Sequence, residues 1–179
     1  IIERERTDDT LKNLATIPVS FKRLLVGKII VCGMIAIFLA IIEFLFTAIT
    51  SVILGYGEIT FFIMIKALLQ MVGMNCFVFL AVLPIIIFTG QRAGAFMSGV
   101  AFAFFYGFIG TFASGHGLTS LYPITIGLGF INYQNGNGTG IYNLPLCFTV
   151  LLILVVIIVI MLFLAHDRAK IQKVKRGTA

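Results

Sequence analysis

Charge is scarce in this sequence. Asp, Glu, Lys and Arg make up 11% of its 179 residues, where a soluble domain carries about a quarter. That shortage excludes an ordinary water-soluble fold. Cysteine is nearly as thin: Cys32, Cys76 and Cys147 sit in or beside apolar runs with no CxxC spacing. They read as small buried side chains and exclude a disulfide framework or a zinc site. No HExxH, no pair of glutamates with a histidine and no glycine-rich phosphate loop occurs, so nothing suggests that the chain hydrolyses ATP by itself. Two stretches, Gly55–Lys66 and Ser114–Asn143, have no basic residue except Lys66.

Apolar sequence is abundant, at 60% hydrophobic residues and a mean hydropathy of +1.10. It is gathered into four runs, Ile29–Leu54, Ala67–Thr89, Ala93–Ala113 and Leu144–Ala165. Each is longer than the ~18 residues that cross a hydrocarbon core of about 30 Å. In lipid the backbone must bond to itself, so spanning segments are helices. The expectation is an all-α integral membrane protein with four transmembrane helices at 29–54, 67–89, 93–113 and 144–165.

The basic residues then set the orientation. Arg4, Arg6, Lys12, Lys22, Arg23 and Lys28 precede the first run, and Arg92 lies between the second and third. Arg168, Lys170, Lys173, Lys175 and Arg176 follow the fourth. By the positive-inside rule, residues 1–28 and the tail 166–179 are cytoplasmic, and the stretches Gly55–Lys66 and Ser114–Asn143 face outward. The net charge of +6 then reads as contact with anionic lipid headgroups rather than with nucleic acid. Because the chain opens on Ile1 and residues 1–28 read as the inside of a protein, earlier spans are expected to precede it.

Within 1–28, Asp8 and Asp9 stand ahead of Leu11, Leu14 and Ala15, which suits the first turn of a short helix. Pro18 ends that pattern. Ser20 is a candidate N-cap for a second helix that runs from Phe21 into the membrane. A helix, a proline elbow and a basic helix make a handle for a cytosolic partner, or else a solvated flank that only orients the first span.

Three features inside the runs and their outer loop call for a reason. Glu43 stands near the middle of the first span, where a charged carboxylate costs several kcal/mol unless it is neutral, paired or facing water. It is either a substrate-path or proton-linked site, or a bonding partner for Asn75 or Gln70 on the next helix. Ala95, Gly99, Ala103 and Gly107 recur every fourth residue, a small-residue stripe suited to close helix packing or to a pore lining. Leu118–Ile131 is apolar but broken by Tyr122-Pro123, Gly127 and Gly129, and is predicted to be a re-entrant element on the outer face. Beyond it, Asn137-Gly138-Thr139 matches a glycosylation sequon, a common motif. Ser114-Gly115-His116 does not make a catalytic pair, since residues two apart diverge on a helix and stand well separated on a strand. Phe112 also stands where an intramembrane serine protease would carry glycine.

The N-terminal segment carries a resemblance. Glu3-Arg4-Glu5-Arg6, Thr10-Leu11-Lys12-Asn13-Leu14, Ile17-Pro18-Val19-Ser20, Lys22-Arg23 and Gly27-Lys28 resemble the cytosolic loop of type-2 ABC exporter permeases. That loop typically reads as an acidic start, "GTL…LL", "PVSR" and a "GK" that opens the next span. Asp9 replaces the usual glycine and Phe21 the usual arginine. The family has six spans, so these four would be the last four. The "GQRAGAF" stretch at 90–96 and Leu121-Tyr122-Pro123 look most like the bacitracin and lantibiotic self-protection branch, which concerns antibiotic resistance and bacteriocin immunity.

The resemblance implies a bacterial cytoplasmic-membrane permease that works with a cytosolic ABC ATPase and a second permease, identical or paralogous. It implies that ATP and magnesium are bound by the ATPase, with no cofactor, metal or catalytic residue in this chain, and that the cargo is amphiphilic. Carried over, the coupling segment would be Thr7–Pro18. Leu11 and Leu14 would be its apolar contact, with Thr7, Asp8, Asp9 and Lys12 around them and Pro18 as the elbow. Phe21–Lys28 would transmit motion, and Gly90–Arg92 could add a smaller contact. Two other readings compete: a secondary transporter using Glu43 as its proton site, and an accessory subunit that only anchors a partner.

Overall fold

The computed structural model describes residues 21–55, 60–92, 94–115, 118–131 and 142–165. All regular structure among them is helical: α1 (Phe21–Ile53), α2 (Phe61–Gly90), α3 (Phe96–Gly115), the short α4 (Ile126–Phe130) and α5 (Leu144–Phe163). The candidate coupling segment, the Asn137 sequon, His116 and the basic tail lie outside the described residues.

Helices α1, α2 and α5 are each long and apolar enough to cross a membrane, and α3 is a shorter apolar helix. The four expected runs are thus all helical, with ends that differ for local reasons. Gly94 adopts φ +75°, a left-handed conformation that interrupts a right-handed helix. Helix α3 therefore starts at Phe96 rather than at Ala93. Helix α2 in turn begins at Phe61, ahead of the apolar run at Ala67, and carries Lys66 exposed in its second turn. Residues 61–65 of α2 are themselves apolar, so the single Lys66 is what ended the run at Ala67, and one lysine near a span's end does not stop its helix.

Helix α1 is one unbroken element of 33 residues, about 50 Å at 1.5 Å per residue. That exceeds a ~30 Å hydrocarbon core, so it tilts or projects. Helix α2 continues through Pro84, whose ring nitrogen cannot donate to the carbonyl four residues earlier.

Helix α2 is the hub. It packs most extensively along α1 and also touches α3, α4 and α5. The buried cluster gathers toward its C-terminal half: Ala81, Leu83 and Ile87 meet Leu25 of α1, Ile124, and Leu154 and Ile158 of α5. Among the described residues Lys22, Arg23, Lys28 and Arg92 lie at this same end of the bundle, while Lys66 lies at the other. Most large apolar side chains remain exposed, as Phe38, Phe46, Phe104, Leu152 and Phe163 do. Lipid tails are as apolar as leucine, so burying such groups within the chain has no solvent-driven advantage. Close packing and polar contacts must hold the helices together instead.

Hydroxyls inside the spans return to their own backbone. Thr47 donates to the Glu43 carbonyl at 2.8 Å, Thr50 to that of Phe46 at 2.8 Å and Thr89 to that of Ile85 at 2.8 Å. Each meets a carbonyl one turn back, the arrangement that satisfies a hydroxyl where no water is available.

Candidate functional site

Glu43 is the only acidic side chain among the described residues. It is exposed on α1, and the Asn75 amide of α2 donates to its Oε2 at 3.1 Å. The same Nδ2 also lies 3.3 Å from the carbonyl of Met71. The carboxylate therefore has a partner on the neighbouring helix. Gln70, the other residue considered for it, instead donates from Nε2 to the carbonyl of Ile131 at 2.9 Å, just past the end of α4.

The small-residue stripe divides. Ala95 precedes α3, and its carbonyl accepts from the Gly99 amide and the Ser98 hydroxyl, both at 2.9 Å. Gly99 is buried against α2: a Cβ placed there would lie 2.5 Å from Thr89 Cγ2. Ala103 is half-buried and lines a groove between helices. Among the described residues nothing lies within 4 Å of a Cβ placed on Gly107. The close approach falls on Gly110, 3.3 Å by the same measure from the Tyr122 ring.

Helical geometry explains why Gly110 makes the contact and Gly107 does not. Residues four apart drift by about 40° per step at 3.6 residues per turn, so Gly107 has turned roughly 80° from Gly99. Gly99, Ala103, Tyr106 and Gly110 stay within a ~60° sector. The sequence contained this signal, but a strict spacing of four hides it.

The apolar stretch Leu118–Ile131 folds as a series of turns leading into α4 and is largely buried. Tyr122 donates to the Tyr106 carbonyl, and Thr125 donates to the Thr119 carbonyl at 2.8 Å. Its two interrupting glycines are contact points. A Cβ on Gly127 would lie 2.8 Å from Phe77 Cβ and 2.9 Å from Met74 Sδ, and one on Gly129 would lie 3.1 Å from Cys147 Sγ. Phe130 stacks on Phe77 at 5.0 Å between ring centres. Met74 and Phe77 lie near the middle of α2, so α4 penetrates to the bundle's mid-depth. Its irregular backbone is enclosed by protein, which is how such backbone persists inside a membrane.

At the basic end, the Lys22 ammonium of α1 donates to the carbonyl of Phe163, the last residue of α5. A cation there satisfies a carbonyl that has no partner within the helix and complements the negative end of its dipole. Three residues on, Leu25 is fully buried in the core. The first turns of α1 are thus fastened to both α2 and α5. Sequence reasoning missed this link, because nothing local announces a contact between positions 141 residues apart. Lys22→Met is expected to cost about 1 kcal/mol and to lower the unfolding midpoint, with Lys22→Arg retaining most of it. An unchanged midpoint in the methionine variant would show that the contact adds nothing to stability.

Long apolar helices around a central α2, an enclosed re-entrant element and polar groups turned onto neighbouring backbone define a polytopic membrane protein. Residues 1–110 match the family model for the ABC-2 family transporter protein, more than half of the 179 residues. The chain belongs to that family and is a membrane permease subunit of an ABC transporter. The match takes in the N-terminal segment, α1, α2 and most of α3. No curated protein and no solved structure matches the chain significantly.

Proposed function

We propose that the chain serves an ATP-driven exporter: two permease subunits, identical or paralogous, work with two cytosolic ATPase subunits to move an amphiphilic compound out of a bacterial cytoplasmic membrane. A peptide antibiotic is the proposed cargo, in the manner of bacitracin and lantibiotic self-protection. The positive-inside rule supports a cytoplasmic position for the basic end of the bundle and for the tail. ATP and magnesium act in the ATPase, and this chain contributes binding and motion.

The observation that carries the reading is the family match across residues 1–110, because it includes the amphipathic segment ahead of α1. That segment, Thr7–Pro18, is the proposed seat of the ATPase, with Leu11 and Leu14 as apolar anchors and Asp8, Asp9 and Lys12 at the rim. The continuity of α1 from Phe21, its anchoring at Leu25 and its link to α5 through Lys22 support it as the lever. Displacing its start would move the ends of α2 and α5 together.

Leu11→Asp combined with Leu14→Asp is expected to weaken ATPase capture at least tenfold, the effect of about 1.4 kcal/mol. Membrane insertion should be unchanged, and ATP-dependent flux in vesicles should fall with the binding. Undiminished capture by a correctly inserted variant would move the coupling contact elsewhere. Flux that follows a proton gradient without any ATPase would instead favour a secondary transporter with Glu43 as its proton site.

A further inference from the structure

Between α1, α2 and α3 at the basic end lies a groove of about 230 Å³. Its walls include Leu25 and Ile29 of α1, Phe79 and Ile86 of α2, and Phe96 and Ala103 of α3. Among the described residues Lys28 is the only charged side chain lining it. Along α2 the groove runs from Gly90 to Phe79, about 16 Å at 1.5 Å per residue. One leaflet is about half of a ~30 Å hydrocarbon core, so the groove has the depth of a single leaflet. Its wall is apolar along that depth. Gly33 of α1 packs against Phe79, so the Lys28 backbone lies about 8 Å from the groove's inner end, roughly half way along it. Its flexible stem is long enough to carry the ammonium toward the end that also carries Arg23 and Arg92. Arg92 is held 4.1 Å over the Phe88 ring.

We propose that this groove binds one acyl chain of an anionic phospholipid, with Lys28 pairing the headgroup phosphate. The apolar wall alone would accept any lipid tail. The lysine at leaflet depth is what selects an anionic headgroup, because the phosphate gains its attraction while the tail stays in the groove. A tail held there touches α1, α2 and α3 at once and fills space that would otherwise let them shift. The inference needs only the membrane setting and does not depend on the identity of the exported compound.

The sequence contains no tryptophan, so one introduced indole reports on its own surroundings. Phe96→Trp places the indole on the groove wall. Phe102→Trp, on an exposed part of α3 outside the groove, reports bulk lipid. The full chain is reconstituted in vesicles of brominated phosphatidylglycerol or brominated phosphatidylcholine, whose bromines quench a neighbouring indole. At Phe96→Trp the anionic lipid should quench with about fivefold higher apparent affinity, the preference expected from one lysine near anionic lipid. Lys28→Gln should bring that ratio to near one, and Lys28→Arg should keep it. Phe102→Trp should show no preference, and Ala103→Leu, which narrows the groove, should weaken quenching by both lipids at Phe96→Trp. Added inorganic phosphate should not compete, since it has no tail. Equal affinity for the two lipids at Phe96→Trp, an unchanged preference in Lys28→Gln, or displacement by free phosphate would each overturn the proposal.

Discussion

Replacing Gly127 by leucine is expected to expel α4 from its seat on α2 and destabilise the subunit by about 3 kcal/mol, the upper part of the range for overpacked interiors. Even the first added carbon would lie 2.8 Å from Phe77 Cβ and 2.9 Å from Met74 Sδ. The methionine can turn aside, because its thioether is flexible. Phe77 Cβ is bonded directly to the α2 backbone and cannot. The three further carbons of leucine then have no place beside the stacked Phe77 and Phe130 rings. Displacing α4 would also break the bond from Gln70 to the Ile131 carbonyl, leaving polar groups unpaired inside the bundle. Gly107→Leu is the control, since no described residue lies within 4 Å of that position. Unfolding by a graded denaturing detergent should separate the two variants clearly. Equal resistance would mean that α4 is not seated against α2.

Asn75→Leu is expected to be the costlier way to break the contact between α1 and α2. It leaves Glu43 in the span without its donor, at a cost of about 1–3 kcal/mol for an unsatisfied polar group. Glu43→Gln keeps an oxygen that can accept from Asn75 Nδ2 and should cost much less. Interhelical bonds measured in membranes average ~0.6 kcal/mol and reach ~1.7 kcal/mol, so the coupling in a double-mutant cycle should fall between those values. Additive single effects would show that the 3.1 Å contact contributes nothing to the association of the two helices. The same variants bear on transport. Glu43→Gln that leaves flux intact favours a structural role for the pair, whereas flux lost with stability preserved favours a place in the substrate path.

Much of the architecture was legible because the membrane removes alternatives. A long apolar run in lipid can only be a helix, so hydropathy placed α1, α2 and α5. The expected helix running from Phe21 into the membrane agrees with α1, which is described from Phe21 onward. Pro18 and Ser20, which were to set its opening, lie outside the described residues. The broken stretch at Leu118–Ile131 read as re-entrant because it was too short to span and too apolar for water, and it is buried against α2 and α5. Asn75 was one of two residues considered as a partner for Glu43, and polarity on adjacent helices narrowed the choice that far. It went no further, because the rotation of one helix against the other decides which amide faces the carboxylate.

Other features were hidden for a related reason. The stripe Ala95, Gly99, Ala103 and Gly107 counts positions along a line, whereas contact depends on angle around an axis and on what lies opposite. Gly110 meets Tyr122 because the re-entrant segment lies there, and no spacing within α3 records that. Lys22 likewise looked like one more headgroup residue until α5 brought the Phe163 carbonyl to it.

The amino-acid sequence by itself determined the solvent, the helical class, the distribution of basic charge and the positions of the long spans. These follow from transfer free energies and hydrogen-bond satisfaction, which act residue by residue along a chain. Only the tertiary structure decided which glycines are pressed against neighbours, which amide reaches Glu43, and where an apolar groove opens beside Lys28. Those outcomes depend on van der Waals contact between distant segments, a force that fades within an ångström or two of separation and leaves no periodic mark in the sequence.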